Sequence, residues 1–190
     1  MKNLLFSIIL LSNISLFAQK PCEYSVNVKD SIGIYKETKS NIVHERVFGN
    51  TSSYVFFALA VTDDLPTLTV QILTKSKDFI QVNCFDKSSK LFLQLDNGKI
   101  VTLIATDQEN CGAPIKDDLG FNNRILSGTF MFLKGTLEDL QQSPMSSMRI
   151  KFTTETKDYI FKKILVSEMN SEIYAPSTYF IDYLSCVIIK

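Results

Sequence analysis

Hydrophobic and polar positions alternate over most of the chain. Val26 and Val28 sit between polar neighbours, Asp30-Ser31 interrupt, and Ile32 and Ile34 resume the period of two expected of half-buried strands. Residues 54–61 (YVFFALAV) are apolar without a break, which predicts a strand buried on both faces and ended by Asp63-Asp64-Leu65-Pro66. In 67–74 Leu68, Val70 and Ile72 share one face. A turn at Lys75-Ser76-Lys77-Asp78 then leads to a further predicted strand, 79–85. Asn97-Gly98 is a two-residue hairpin signature, because both residues accept positive φ. It sets Leu95 opposite Ile100, Leu93 opposite Thr102 and Leu91 opposite Ile104, with Asp96 beside Lys99.

Residues 106–123, with Gly112, Pro114 and Gly120 among Asp and Asn, read as loop, and 125–133 returns to strand. Thr136 is the expected N-cap of a short helix over 137–142, ended by Pro144. Met148, Ile150 and Phe152 alternate with Arg149 and Lys151, and a turn near Thr156-Lys157 sends 159–164 back beside them. Ser177 is placed to cap a C-terminal helix bearing Phe180, Ile181, Leu184, Val187 and Ile188 on one stripe. The fold class expected is α+β and strand-rich: an antiparallel β-meander or sandwich with one short helix and a packed C-terminal helix.

The first residues change the domain count. Lys2, the apolar run 4–11 (LLFSIILL) and the small residue Ala18 make a secretory leader, cleaved after residue 18. Residues 19–190 then form a single β-rich domain, located in the periplasm or secreted, with no transmembrane segment after cleavage. In that oxidising setting the four cysteines, Cys22, Cys84, Cys111 and Cys186, favour two disulfides over a metal or redox site, since no CxxC is present. Three connectivities are open. A meander pairing 79–85 with 91–96 favours Cys84–Cys111, which leaves Cys22–Cys186 by elimination.

Charge and chemistry mainly exclude. Twenty basic and twenty acidic residues give a net charge of zero, so nothing attracts nucleic acid over distance. The single histidine, His44, rules out every motif that needs two, and no GxSxG elbow accompanies it. No catalytic, cofactor-binding or metal-ligating residue is therefore assigned. Asp117-Asp118 with Asn122-Asn123 has a calcium-like composition without EF-hand spacing. Arg149, Lys151 and Lys162, with Lys157 and Lys163, are candidates for an anion-binding ridge on the last hairpin.

The leader ending Phe17-Ala18-Gln19 and the C-terminal run Tyr179-Phe180-Ile181-Asp182-Tyr183-Leu184-Ser185-Cys186 resemble the ends of uncharacterised small exported proteins of bacteria with an outer membrane. The resemblance implies a periplasmic or secreted location and carries no catalytic residue. The function expected is a non-catalytic module that binds a protein or an envelope component. The alternative is a carrier holding a small apolar ligand in a barrel-like pocket, which needs an interior cavity lined by Phe and Tyr.

Overall fold

Three long neighbouring strands carry the architecture. In the computed structural model, which describes residues 20–31, 33–106 and 108–188, these are β4 (Thr51–Thr62), β5 (Leu65–Ser76) and β9 (Asn122–Phe132). The expected leader over 1–18 lies outside the described residues. The predicted run 54–61 is the middle of β4, where Val55, Phe57, Leu59 and Val61 are fully buried. β4 and β5 pair in antiparallel register along their whole length, from Thr51↔Ser76 to Thr62↔Leu65.

Each side of this trio forks. β2 (Ile34–Thr38) and β3 (Asn41–Phe48) share one edge of β4, and β1 (Tyr24–Lys29) adds outside β2. On the far side β8 (Ala113–Lys116) and β7 (Ile100–Ala105) share one edge of β9. β6 (Lys90–Leu95), β10 (Met145–Lys151) and β11 (Thr156–Ile160) complete the antiparallel order β1-β2-β4-β5-β9-β7-β6-β10-β11. A separate two-stranded hairpin joins β12 (Leu165–Val166) to β13 (Ile173–Tyr174). The large sheet curls until β3 and β11 face each other without a backbone ladder, so the barrel stays open. His44 Nδ1, 3.3 Å from the Ile160 carbonyl oxygen, bridges this seam, and the Glu168 amide donates to Glu45 Oε1 at 2.8 Å nearby.

The concave face is filled. Phe57, Leu68, Val70, Leu91, Leu93, Phe130, Met148 and Ile150 are all buried in one cluster. Helix α1 (Thr136–Gln142) adds Leu140, and α2 (Tyr179–Tyr183) covers one end with Tyr179 and Phe180. Phe57 meets the Tyr179 ring at 5.4 Å and Phe132 meets Phe180 at 5.9 Å, both edge to face. The disulfide Cys22–Cys186 and the bond from Tyr24 Oη to the Cys186 carbonyl (2.9 Å) fasten this end to β1. The second disulfide is Cys84–Cys111.

Several local expectations are corrected. The 91–105 hairpin forms, but its register is Leu93↔Val101 and Leu91↔Leu103, one residue from that predicted. The loop holds three residues, with the Gly98 amide donating to Leu95 O and the Leu95 amide to Lys99 O, both at 2.9 Å. Only Gly98 has positive φ (+85°), as in a type I turn closed by a bulge glycine. This register buries Val101, Leu103 and Ala105 and leaves Ile100 65% exposed, whereas the predicted one would have put Thr102 in the core. Lys99 accordingly pairs with Asp139 (2.6 Å), not Asp96. The two-residue turn with both residues at positive φ belongs instead to Asp63 (+45°) and Asp64 (+67°).

Residues 79–84 join no strand, and Phe85 makes a single bridge to Asn110, so the disulfide Cys84–Cys111 does not rest on the predicted pairing with 91–96. The 106–123 segment contains β8. Gly135 stands at the N-cap of α1, while Thr136 Oγ1 donates back to Leu133 O (2.7 Å). The β10–β11 turn lies at Phe152–Glu155, where the Phe152 amide donates to Glu155 O. The C-terminal helix is broken into short turns around α2, and Ser177 lies within the first of them and caps nothing.

Candidate functional site

Pairing register places three rows of side chains on the concave face. His44, Val55, Ile72 and Leu126 are successive partners across β3, β4, β5 and β9, and the last three are buried. Two residues along each strand the row becomes Arg46–Ser53–Thr74–Arg124, and two further it becomes Phe48–Thr51–Ser76–Asn122. Because side chains on one face recur every second residue, the apolar floor turns polar and cationic in one step. That step opens a cleft of about 770 Å³ at the end opposite α2.

The far wall comes from β11 and the segment before Cys84. Gln81 Nε2 donates to Glu155 Oε2 (3.3 Å), and the Thr153 amide and hydroxyl both donate to Cys84 O (3.1 and 2.9 Å). These bonds dock 79–84 against the β10–β11 turn. They hold the segment in place without its entering the sheet, the Cys84 carbonyl being satisfied by the turn. Phe79 and Phe48, 85% and 77% exposed, stand on the cleft rim.

Arg124 is the most constrained cation of the cleft. Its Nη1 donates to the carbonyls of Cys111 and Gly112 at 2.8 and 2.9 Å, and its buried Nε has no protein partner. Gly112 has φ +67°, and a Cβ there would lie 2.3 Å from the Ile125 carbonyl oxygen, so this carbonyl pair depends on glycine. Among the described residues neither Arg124 nor Arg46 forms an ion pair. Lys157, also in the cleft, is paired with Glu155 at 2.7 Å, and that contact with Lys157 holds the Glu155 carboxyl below its usual range.

The basic ridge predicted on the last hairpin is divided. Arg149 grips Asp158 through two bonds of 2.6 and 2.8 Å, and the pairing raises the Arg149 pKa and lowers that of Asp158. Lys151 shares the outer face, Lys157 lies on the cleft side, and Lys162 and Lys163 follow the end of β11. Asp117 accepts bonds from Lys75 Nζ (2.7 Å), two loop amides and Asn123 Nδ2, and Lys75 chiefly lowers its pKa to about 2. It ties the β8–β9 turn together.

His44 meets the Tyr159 ring edge to face at 5.1 Å. Burial lowers its pKa, outweighing its bond to Ile160, and Lys162 and Arg46 act in the same direction as burial. Burial also pushes Tyr159 up to about 12. The pair seals the seam between β3 and β11.

The arginines of the cleft, Arg46 and Arg124, are absent from the sequence-level candidates. The signal that finds them is a switch from apolar to polar residues at the same parity in β4, β5 and β9, with Arg46 of β3 in the same row, and reading it requires the pairing register. No protein-family model, curated protein or solved structure matches this chain. Among the described residues no helix is long and apolar enough to cross a membrane.

Proposed function

We propose that this is an exported, non-catalytic β-rich module, periplasmic or secreted, that binds a protein or an envelope component at the open cleft. The observation that carries the reading is the pairing of a filled core with an open cleft rimmed by Phe48 and Phe79. Exposed aromatic side chains at a concavity are a feature of recognition surfaces. Two disulfides fit an oxidising compartment. The carrier alternative needs interior space, which Phe57, Phe85, Phe130, Phe152 and Phe180 occupy.

The test is site-specific photocrosslinking in intact cells. A photoreactive phenylalanine analogue at Phe79 is expected to yield a discrete adduct, and one at Ile100, exposed but outside the cleft, is not. Adducts at neither position, or equally at both, refute the reading. So does an apolar small molecule that co-purifies in stoichiometric amount.

A further inference from the structure

Resting on that reading, the geometry points to an acidic saccharide, a sugar bearing a carboxylate, as the chemical class recognised by the cleft. The row Arg46–Ser53–Thr74–Arg124 spans four strands on one concave face, with a guanidinium at each end and two hydroxyls between. Neighbouring strands lie about 4.8 Å apart, so the two arginine backbones are separated by roughly 14 Å, and curvature brings their side chains closer. That span suits a ligand of one or two sugar rings.

Charge selects the anion. Arg124 is half-buried and held by two neutral carbonyls, and its positive charge has no counter-ion among the described residues. Its Nη2 makes no hydrogen bond among the described residues. With both Nη1 hydrogens given to carbonyls and Nε buried, Nη2 is the donor left for a carboxylate oxygen, a charge-assisted bond. Among the described residues Asp158 and Asp78 also reach the cleft, but Asp158 is gripped from outside by Arg149, and Asp78 stands on the exposed rim.

The rest of the surface selects the sugar. Ser53 and Thr74 hydroxyls donate and accept, as ring hydroxyls require, and Phe48 and Phe79 offer apolar faces to the C–H side of a ring. An extended peptide finds less here. Along the Arg46 row β4, β5 and β9 are paired on both sides, so strand addition is confined to the seam edges of β3 and β11, which carry neither Ser53, Thr74 nor Arg124.

Calorimetric titration of the disulfide-bonded protein with a galacturonate tetramer, a neutral maltotetraose and an acetylated tetraglutamate peptide tests this. The uronate is expected to bind and the other two are not. Arg46→Gln, at an exposed position, is expected to weaken uronate binding about ten- to hundredfold, as is Arg124→Gln if it folds. Lys151→Gln, on the outer face, leaves it unchanged. Equal binding of the neutral sugar, preference for the peptide, absence of uronate binding, or full affinity in Arg46→Gln each overturns the inference. A discrete Phe79 crosslink alongside any of these results means that the ligand class fails while the cleft remains the binding site.

Discussion

Arg124 Nη1 donates to the carbonyl oxygen of Cys111 at 2.8 Å, and Cys111 is itself bonded to Cys84. A covalent staple between two loops thus sets the position of a cation in the cleft. The Cys84 carbonyl accepts two bonds from Thr153, so the same disulfide also locates the cleft's far wall.

Replacing Cys84 and Cys111 together by alanine should lower stability by about 3–4 kcal/mol, from the chain-entropy estimate for the loop they close. Urea denaturation of the oxidised parent and the double variant measures it. The variant should also lose protection of the Arg124 side-chain resonances, because its carbonyl partners are freed. Loss of stability without that change would separate the staple from the cation.

Gly112→Ala should destabilise by about 1–3 kcal/mol, since the new Cβ meets the Ile125 carbonyl in a backbone conformation that disfavours side chains. Thermal unfolding followed by circular dichroism reads the loss. Weakening should centre on β8, visible as faster amide exchange over Ala113–Lys116.

Gly98→Val places a branched side chain at φ +85° in open space, so strain alone sets its cost, about 1–2 kcal/mol. The register Leu93↔Val101 should persist, because a one-residue slip would bring Thr102 into the core. Cross-strand NMR contacts between Leu93 and Val101 check the pairing, and denaturation checks the cost.

His44 gives a pH dependence with a defined sign. Its folded pKa is lowered below the ordinary 6.5, chiefly by burial, so the unfolded chain binds the proton more readily. Stability is therefore complete above about pH 6.5 and falls as pH drops through that value towards the folded pKa. The groups acting on it are the Ile160 carbonyl, Lys162 and Arg46. His44→Gln should flatten the stability profile between pH 7 and 5, and an unchanged profile would place the sensitivity elsewhere.

Strand content is legible because burial on one face of a pleated sheet imposes a period of two, which β5 and β9 follow, while β4, buried on both faces, shows as an unbroken apolar run. Turn chemistry was less legible. Asn97-Gly98 and Asp63-Asp64 both permit a two-residue loop, and which pair adopts it depends on the face each flanking strand must bury. The cap of α1 is not legible for a similar reason, since the Thr136 hydroxyl donates to the Leu133 carbonyl within its own loop and Gly135 takes the N-cap.

The sequence alone determined that this is a strand-rich chain with four cysteines, no net charge and one histidine, since those follow from residue identity and local spacing. Tertiary structure decided which strands neighbour which, and with that the rows across the concave face. Arg46 and Arg124 lie 78 positions apart in the chain. Only the ladder through Ser53 and Thr74 makes them ends of one row, because hydrogen-bond register between distant strands is settled by burial of the whole sheet.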